Sequence, residues 1–175
     1  METIHVNSAG ESQKATGAAA SNVDLYQVNC TYYDALGQSD FDYLVARAIQ
    51  FFAPGTPQVY YAGLLAEKNA MELLSKSNVG RDINRPYLDS ADIEAALKKP
   101  FTKAMIELIR LRNDCAAFNG EFSIVSEKPK LKMSWKYEQQ SITLKVDLVE
   151  SIAHIEINED NSSRTICLNN LLNLS

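Results

Sequence analysis

The chain has 175 residues, of which 46% are hydrophobic and 22% are charged, and its formal net charge is −5. This composition is typical of a soluble globular protein. The acidic balance argues against nucleic-acid binding, which needs a concentrated basic surface. No apolar run approaches the roughly 20 residues of a membrane-spanning helix. The length excludes a complete (β/α)₈ barrel, which needs about 250 residues.

The first residues and the cysteines indicate a compartment. Residues Met1–His5 lack the basic and apolar segments of a secretion signal. The cysteines Cys30, Cys115 and Cys167 lie far apart without a CxxC pair, which argues against a disulfide framework and against a metal site. We therefore expect a cytoplasmic protein with three free thiols, no metal and no cofactor.

The N-terminal part of the chain offers little apolar surface. Residues 1–22 are rich in Ala, Ser, Gly and Asn, which predicts a flexible lead-in. Residues 23–29 mix apolar and polar side chains. They fit either a strand or an ordered loop that displays Asp24, Tyr26 and Gln27.

The strongest predicted helix covers residues 40–53. Its apolar stripe has helical spacing and consists of Phe41, Leu44, Val45, Ala48, Phe51 and Phe52. Ser39 is a suitable N-cap, and Pro54 stops the helix because proline cannot continue the hydrogen-bond ladder. The β-branched and aromatic run Pro57–Gly63 then predicts a strand. A helix, a tight turn and an apolar strand form half of a βαβ repeat, which indicates a parallel sheet.

The next 26 residues, 64–89, form a long connection for a compact domain. Connections of this length are usually functional. Ser90 is predicted to cap a short helix, and a longer helix is predicted over residues 101–115 because its apolar residues again have helical spacing.

From Gly120 onward the apolar residues alternate with polar ones. Turn residues separate five such runs, at 122–125, 131–137, 142–146, 152–157 and 164–168. A period of two predicts antiparallel strands with one buried face. The sequence therefore indicates an α/β part up to residue 119 and an all-β part after it.

Four motifs occur in one order, namely Asp24–Asn29, Phe51–Tyr61, Glu72–Leu74 and Gly80–Arg85. Together they resemble the C-terminal third of the sucrose phosphorylase family, within the α-amylase superfamily (glycoside hydrolase family 13). The resemblance is specific from about residue 20 to 120 and continues as a strand pattern beyond it.

The resemblance implies a fold of class α/β plus all-β. It consists of the C-terminal portion of a TIM (β/α)₈ barrel followed by a small antiparallel β domain. Residues 1–22 would be a lead-in, 23–119 the last part of the barrel, and 120–175 the β domain. Within the barrel part it implies helix seven at 40–53, strand eight at Val59–Tyr61 and helix eight at 101–115.

The family reaction implies the partners. It converts sucrose and inorganic phosphate to α-glucose 1-phosphate and fructose with retention, and retention requires two carboxyl groups. A third acid in this family belongs to a His-Asp pair, but His5 is followed by Val6. All three acids are therefore expected upstream of Met1, and the chain alone is expected to be inactive. The resemblance also allows a homodimer of the full-length parent.

The same resemblance implies substrate-binding residues. Asp24, Tyr26 and Gln27 would lie on a loop over the acceptor side, where a carboxylate and an amide bind sugar hydroxyls and a phenol binds phosphate or fructose. Arg81 would lie at the glucosyl subsite, because a guanidinium can hold an acid and a hydroxyl together. The alternative is a stand-alone, non-catalytic module that binds carbohydrate or a protein partner.

Other conspicuous side chains are expected to be structural. The pairs Phe51–Phe52 and Tyr60–Tyr61 could form a surface that stacks on sugars, but their spacing favours the core. Trp135 and Tyr137 share one strand face and are also expected in the core. Asp82, Asn84 and Arg85 are expected to order the loop around Arg81.

Overall fold

The computed structural model describes residues 29–159 and 162–173. The chain divides into two compact units. The described residues of unit 1 are 29–43 and 59–98, and those of unit 2 begin at 44–58 and continue from 99. The expected domain boundary at residues 119–120 stays a prediction. In the described ranges, no helix is both long and apolar enough to cross a membrane.

Unit 1 is built from short helices. They are α1 (Tyr32–Ala35), the first turn of α2 (Asp40–Phe52), α3 (Tyr61–Leu64), α4 (Met71–Ser77), a 3₁₀ turn (Gly80–Asn84) and α5 (Ser90–Leu97). The long connection at residues 64–89 therefore contains two helical stretches, α4 and the 3₁₀ turn. Tyr43 and Ile83 are fully buried in this unit, and the Tyr43 hydroxyl donates to the Gly63 carbonyl over 2.9 Å.

The predicted helix at residues 40–53 is confirmed as α2. The Ser39 hydroxyl accepts a hydrogen bond from the Asp42 backbone over 3.2 Å, as expected of an N-cap. The helix ends at Phe52, two residues before Pro54. Both Phe51 and Phe52 are buried, as the stripe predicts.

The strand predicted at Pro57–Gly63 is wrong. Tyr60 has an extended backbone (φ −75°, ψ 150°), but α3 begins at Tyr61. A strand needs a neighbour that satisfies its peptide groups. Within residues 29–159 and 162–173, the paired strands all belong to one sheet that starts at Glu121. No described segment pairs with residues 57–60.

Two helix starts follow their local chemistry. Asp89, rather than the predicted Ser90, is the N-cap of α5, and it forms a capping box with Asp92. Helix α6 (Pro100–Asp114) has proline in its first turn, where a missing N–H costs no helical hydrogen bond. The helix predicted at 101–115 is thus confirmed within one residue at each end.

The rest of unit 2 is an antiparallel sheet between two short helical segments. Its elements are a 3₁₀ turn (Ala116–Asn119), β1 (Glu121–Glu127), β2 (Lys130–Tyr137), β3 (Gln140–Asp147), β4 (Ile152–Glu159), β5 (Ser162–Cys167) and α7 (Leu168–Leu171). The strands follow one another in the order β1-β2-β3-β4-β5. Five antiparallel strands are therefore confirmed.

Alternation gives this sheet one buried face. Trp135 lies opposite Ile142, which in turn lies opposite Ile157, and all three are buried. Tyr137, on the same face of β2, is 41% exposed, so its expected core position is wrong. It is the last residue of its strand, beyond the covered part of the sheet.

The other face carries polar pairs. The Lys145 ammonium lies 2.6 Å from the Glu156 carboxylate across β3 and β4. The hydrogen bond and charge of Lys145 hold the pKa of Glu156 below its usual value. Opposite charges on neighbouring strands thus help to fix the register.

Unit 2 packs its sheet against the end of α2. The Trp135 indole N–H donates to the Phe52 carbonyl over 2.7 Å, and the Arg112 guanidinium donates to the Gly55 carbonyl over 3.1 Å. The same guanidinium lies 4.2 Å from the ring centre of Phe118. Two carbonyls near a helix terminus therefore obtain partners from side chains that are distant in sequence.

Within residues 29–159 and 162–173, the three cysteines form no disulfide bond. Cys115 is buried after α6, whereas Cys30 and Cys167 are half-buried. Burial raises the pKa of the Cys115 thiol, which keeps it protonated and unreactive.

The contact between Trp135 and Phe52 gives a stability prediction. Trp135→Phe should lower the free energy of unfolding of unit 2 by about 2 to 4 kcal/mol, because it removes the donor to a buried carbonyl and leaves space in the core. Tyr137→Phe on the same strand should change it by less than about 0.5 kcal/mol. Urea unfolding followed by circular dichroism measures both, and equal effects would contradict the assignment.

Candidate functional site

Arg81 lies on the 3₁₀ turn Gly80–Asn84 of unit 1. The turn is anchored by Ile83, whose side chain is fully buried and whose carbonyl accepts the Ala70 N–H over 2.7 Å. The Arg81 side chain is exposed, and it has no hydrogen-bond or ion-pair partner among residues 29–159 and 162–173. The turn therefore holds its backbone in place and leaves a guanidinium available for a ligand.

Backbone hydrogen bonds hold the turn that carries Arg81. The Asp82 N–H donates to the Val79 carbonyl over 2.9 Å, and the Arg85 N–H donates to the Asp82 carbonyl over 3.2 Å. The side-chain oxygen of Asn84 is buried without a partner in the described part of the chain.

A tyrosine pair holds the segment that follows the turn. The Tyr61 hydroxyl donates to the Pro86 carbonyl over 2.6 Å, and the rings of Tyr60 and Tyr61 lie 4.4 Å apart between centroids. Burial and the Tyr60 hydroxyl raise the pKa of Tyr61 to about 12, although the nearby charge of Arg85 opposes the shift. The phenol is therefore a neutral hydrogen-bond donor near neutral pH.

The core position expected for the tyrosine pair is wrong. Tyr60 is 54% exposed and Tyr61 is 38% exposed, and Tyr87 beyond the turn is 82% exposed. The expectation assumed a strand covered on its faces, and the described residues contain no such strand at this position. The three rings add exposed aromatic surface to the unit that carries Arg81.

A polar network that sequence reasoning missed ties residues 31–38 to Asn69. The Asn69 side-chain oxygen accepts the Thr31 N–H over 2.7 Å, and the Asn69 backbone N–H donates to the Asp34 carboxylate. This carboxylate is only 5% exposed and also accepts from the Thr31 hydroxyl and the Gln38 amide. The spacing of Thr31 and Asp34, three residues apart at the start of α1, was the available signal.

The structure does not describe the other residues that were predicted to bind substrate. Asp24, Tyr26 and Gln27 lie outside the described residues, so their placement on a loop over the acceptor side stays a prediction. Among residues 29–159 and 162–173, no group of three or more His, Cys, Asp or Glu side chains could hold a metal ion.

Comparison with known proteins identifies the relatives of this chain. No protein-family profile matches the sequence. The chain is 54% identical over 156 residues to the sucrose phosphorylase of Agrobacterium vitis, and 55% identical over 145 residues to that of Bifidobacterium adolescentis. These alignments cover 89% and 82% of the chain. The chain is a homologue of the sucrose phosphorylases.

The homology covers part of these relatives. The alignments take in 32% of the Agrobacterium protein and 29% of the Bifidobacterium protein, so the chain spans about a third of the length of the relatives it matches. The crystal structure of a sucrose 6F-phosphate phosphorylase from Thermoanaerobacter thermosaccharolyticum is similar with a TM-score of 0.79 and 38% identity. The match covers 90% of this chain and 34% of the chain in that crystal structure.

The expected fold class is thereby confirmed. The similar structure is that of the sucrose 6F-phosphate phosphorylase, in which a C-terminal β domain follows a TIM barrel, and the match covers a C-terminal portion of it. The five-stranded sheet of unit 2 accounts for the β domain.

The buried carboxylate of Asp34 gives a prediction for unit 1. Asp34→Asn should lower the free energy of unfolding by about 1 to 3 kcal/mol, because an amide nitrogen would face groups that already donate. Asp42→Asn, at an exposed position in the first turn of α2, should have a much smaller effect. Thermal unfolding of both variants measures the difference. Similar losses would show that the Asp34 network contributes little.

Proposed function

We propose that this chain supplies part of a retaining sucrose phosphorylase, which transfers glucose from sucrose to inorganic phosphate. The products would be α-glucose 1-phosphate and fructose. The observation that carries the proposal is the 54% identity to a sucrose phosphorylase over 89% of this chain.

Arg81 supports a sugar-binding role within that reaction. Its guanidinium is exposed on a backbone anchored at Ile83. Arginine presents several N–H donors in a fixed plane, so it can bind a carboxylate and a sugar hydroxyl at once. We assign Arg81 to the glucosyl subsite, where it would pair with a carboxylate from the remainder of the enzyme.

Asp24, Tyr26 and Gln27 would serve the acceptor side. Fructose leaves and the phosphate dianion enters at the same place, so the two acceptors differ in charge. A loop that turns a carboxylate away when phosphate enters would accommodate both, while the phenol and the amide donate hydrogen bonds.

The two carboxyl groups that break the bond would come from the rest of the enzyme. One attacks the anomeric carbon, and the other protonates the leaving oxygen, which together give retention. Cytoplasmic location and dimerisation of the complete enzyme stay predictions.

A hybrid enzyme tests the proposal directly. This chain replaces the segment that it matches in the Agrobacterium vitis sucrose phosphorylase, and glucose 1-phosphate is measured with sucrose in the presence and absence of phosphate. We expect phosphate-dependent product from the hybrid and none from the 175-residue chain alone. Turnover by the isolated chain would contradict the placement of the catalytic acids outside it.

Substitution of Arg81 in the hybrid tests the glucosyl subsite. Arg81→Ala should lower kcat/KM by at least about 100-fold, because it leaves a buried carboxylate without its partner. Arg110→Ala is the matched control, since Arg110 forms an exposed ion pair with Glu107 on α6. Such surface pairs contribute little. Near-normal kinetics of Arg81→Ala would remove Arg81 from the site.

A further inference from the structure

Asn69 lies between α3 and α4, and each of its polar groups forms a hydrogen bond. Its side-chain oxygen accepts the Thr31 N–H over 2.7 Å, and its side-chain nitrogen donates weakly to the Cys30 sulfur over 3.7 Å. Its backbone N–H donates to the Asp34 carboxylate, and its carbonyl accepts the Met71 N–H over 3.0 Å. The residue is therefore bound on one side to the stretch that begins at Cys30.

The next residue is bound on the other side to the Arg81 turn. The Ala70 N–H donates to the Ile83 carbonyl over 2.7 Å, and the Ala70 carbonyl accepts the Leu74 N–H at the start of α4. Ile83 is fully buried and lies two residues after Arg81. One peptide group, between Asn69 and Ala70, therefore lies between the Cys30–Asp34 stretch and the Arg81 turn.

We propose that Asn69 is a positioning residue, which holds the Arg81 turn in register with the stretch Cys30–Asp34. This inference rests on the proposed function. The stretch follows closely in sequence after Asp24–Gln27, which we assign to the acceptor side. Group transfer requires donor and acceptor groups to keep a fixed mutual geometry, since small misplacements cost large factors in rate.

Asparagine suits this position better than alanine or aspartate does. Alanine would leave the buried Thr31 N–H without its acceptor. Aspartate would keep that acceptor but would place a second carboxylate close to Asp34, which already accepts the Asn69 N–H. An amide supplies the acceptor without a charge.

Hydrogen exchange on the full 175-residue chain tests the connection without any activity. Asn69→Ala should accelerate amide exchange about tenfold or more both in residues 30–34 and in residues 80–85. Exchange in β3 should be unchanged. Lys68→Ala, an exposed neighbour, is the matched control and should leave both segments as they were. Acceleration confined to residues 30–34, or spread through β3 as well, overturns the proposal.

The hybrid enzyme supplies the readout that distinguishes positioning from plain stability. With Asn69→Ala, KM for phosphate should rise about tenfold and more glucose should pass to water. The rate of fructose release in a single turnover should fall as well, because Arg81 would lose its fixed position, whereas Lys68→Ala should change neither quantity. An unchanged KM for phosphate in an active hybrid overturns the positioning role.

The two proposals can fail separately. An inactive hybrid together with the expected exchange pattern would reject the proposed function and support the connection through Asn69. An active hybrid whose residues 80–85 exchange as before in the Asn69→Ala variant would keep the function and reject the role of Asn69.

Discussion

The carbonyl groups at the C-terminal end of α2 are the constraint around which unit 2 is organised. A helix leaves its last carbonyls without partners inside the helix, and Pro54 prevents the ladder from continuing. Trp135 and Arg112 donate to carbonyls on either side of this proline. The same two side chains also pack against Phe118, and the Arg112 guanidinium lies 4.2 Å from the centre of that ring. The end of α2 therefore obtains its hydrogen bonds at the same place where aromatic side chains are buried.

Elements with a strong local period could be predicted from the sequence. The apolar stripe of α2 and the alternation in β2 each depend on residues within one element, and the structure has both. The run Pro57–Gly63 has strand composition, but a strand exists only beside a partner, and the described residues supply none. The exposure of Tyr60 and Tyr61 follows from the same missing neighbour. Composition could not show this, because it reports what a segment prefers and not what lies next to it.

The same distinction, between local patterns and partners distant in sequence, applies to the candidate site. Arg81 came from a motif that resembles a family, and the structure adds that its turn is anchored at Ile83 while its side chain is exposed. The Asn69 N–H donates to an Asp34 carboxylate 35 positions away, so the spacing of Thr31 and Asp34 indicates the start of α1 but not this distant partner. Asparagine is common in loops for many reasons. Its role here depends on which backbone groups surround it in the folded chain.

The strand order of unit 2 has a consequence for how the unit folds. Each strand of β1 to β5 pairs with its sequence neighbour, so the sheet can form by closing short loops. The hydrogen bond from Trp135 to Phe52 instead joins residues 83 positions apart, with all of residues 59–98 of unit 1 between them. Closing that distance costs more chain entropy than any turn of the sheet. The sheet can therefore be complete early, while its attachment to α2 must wait for the intervening chain.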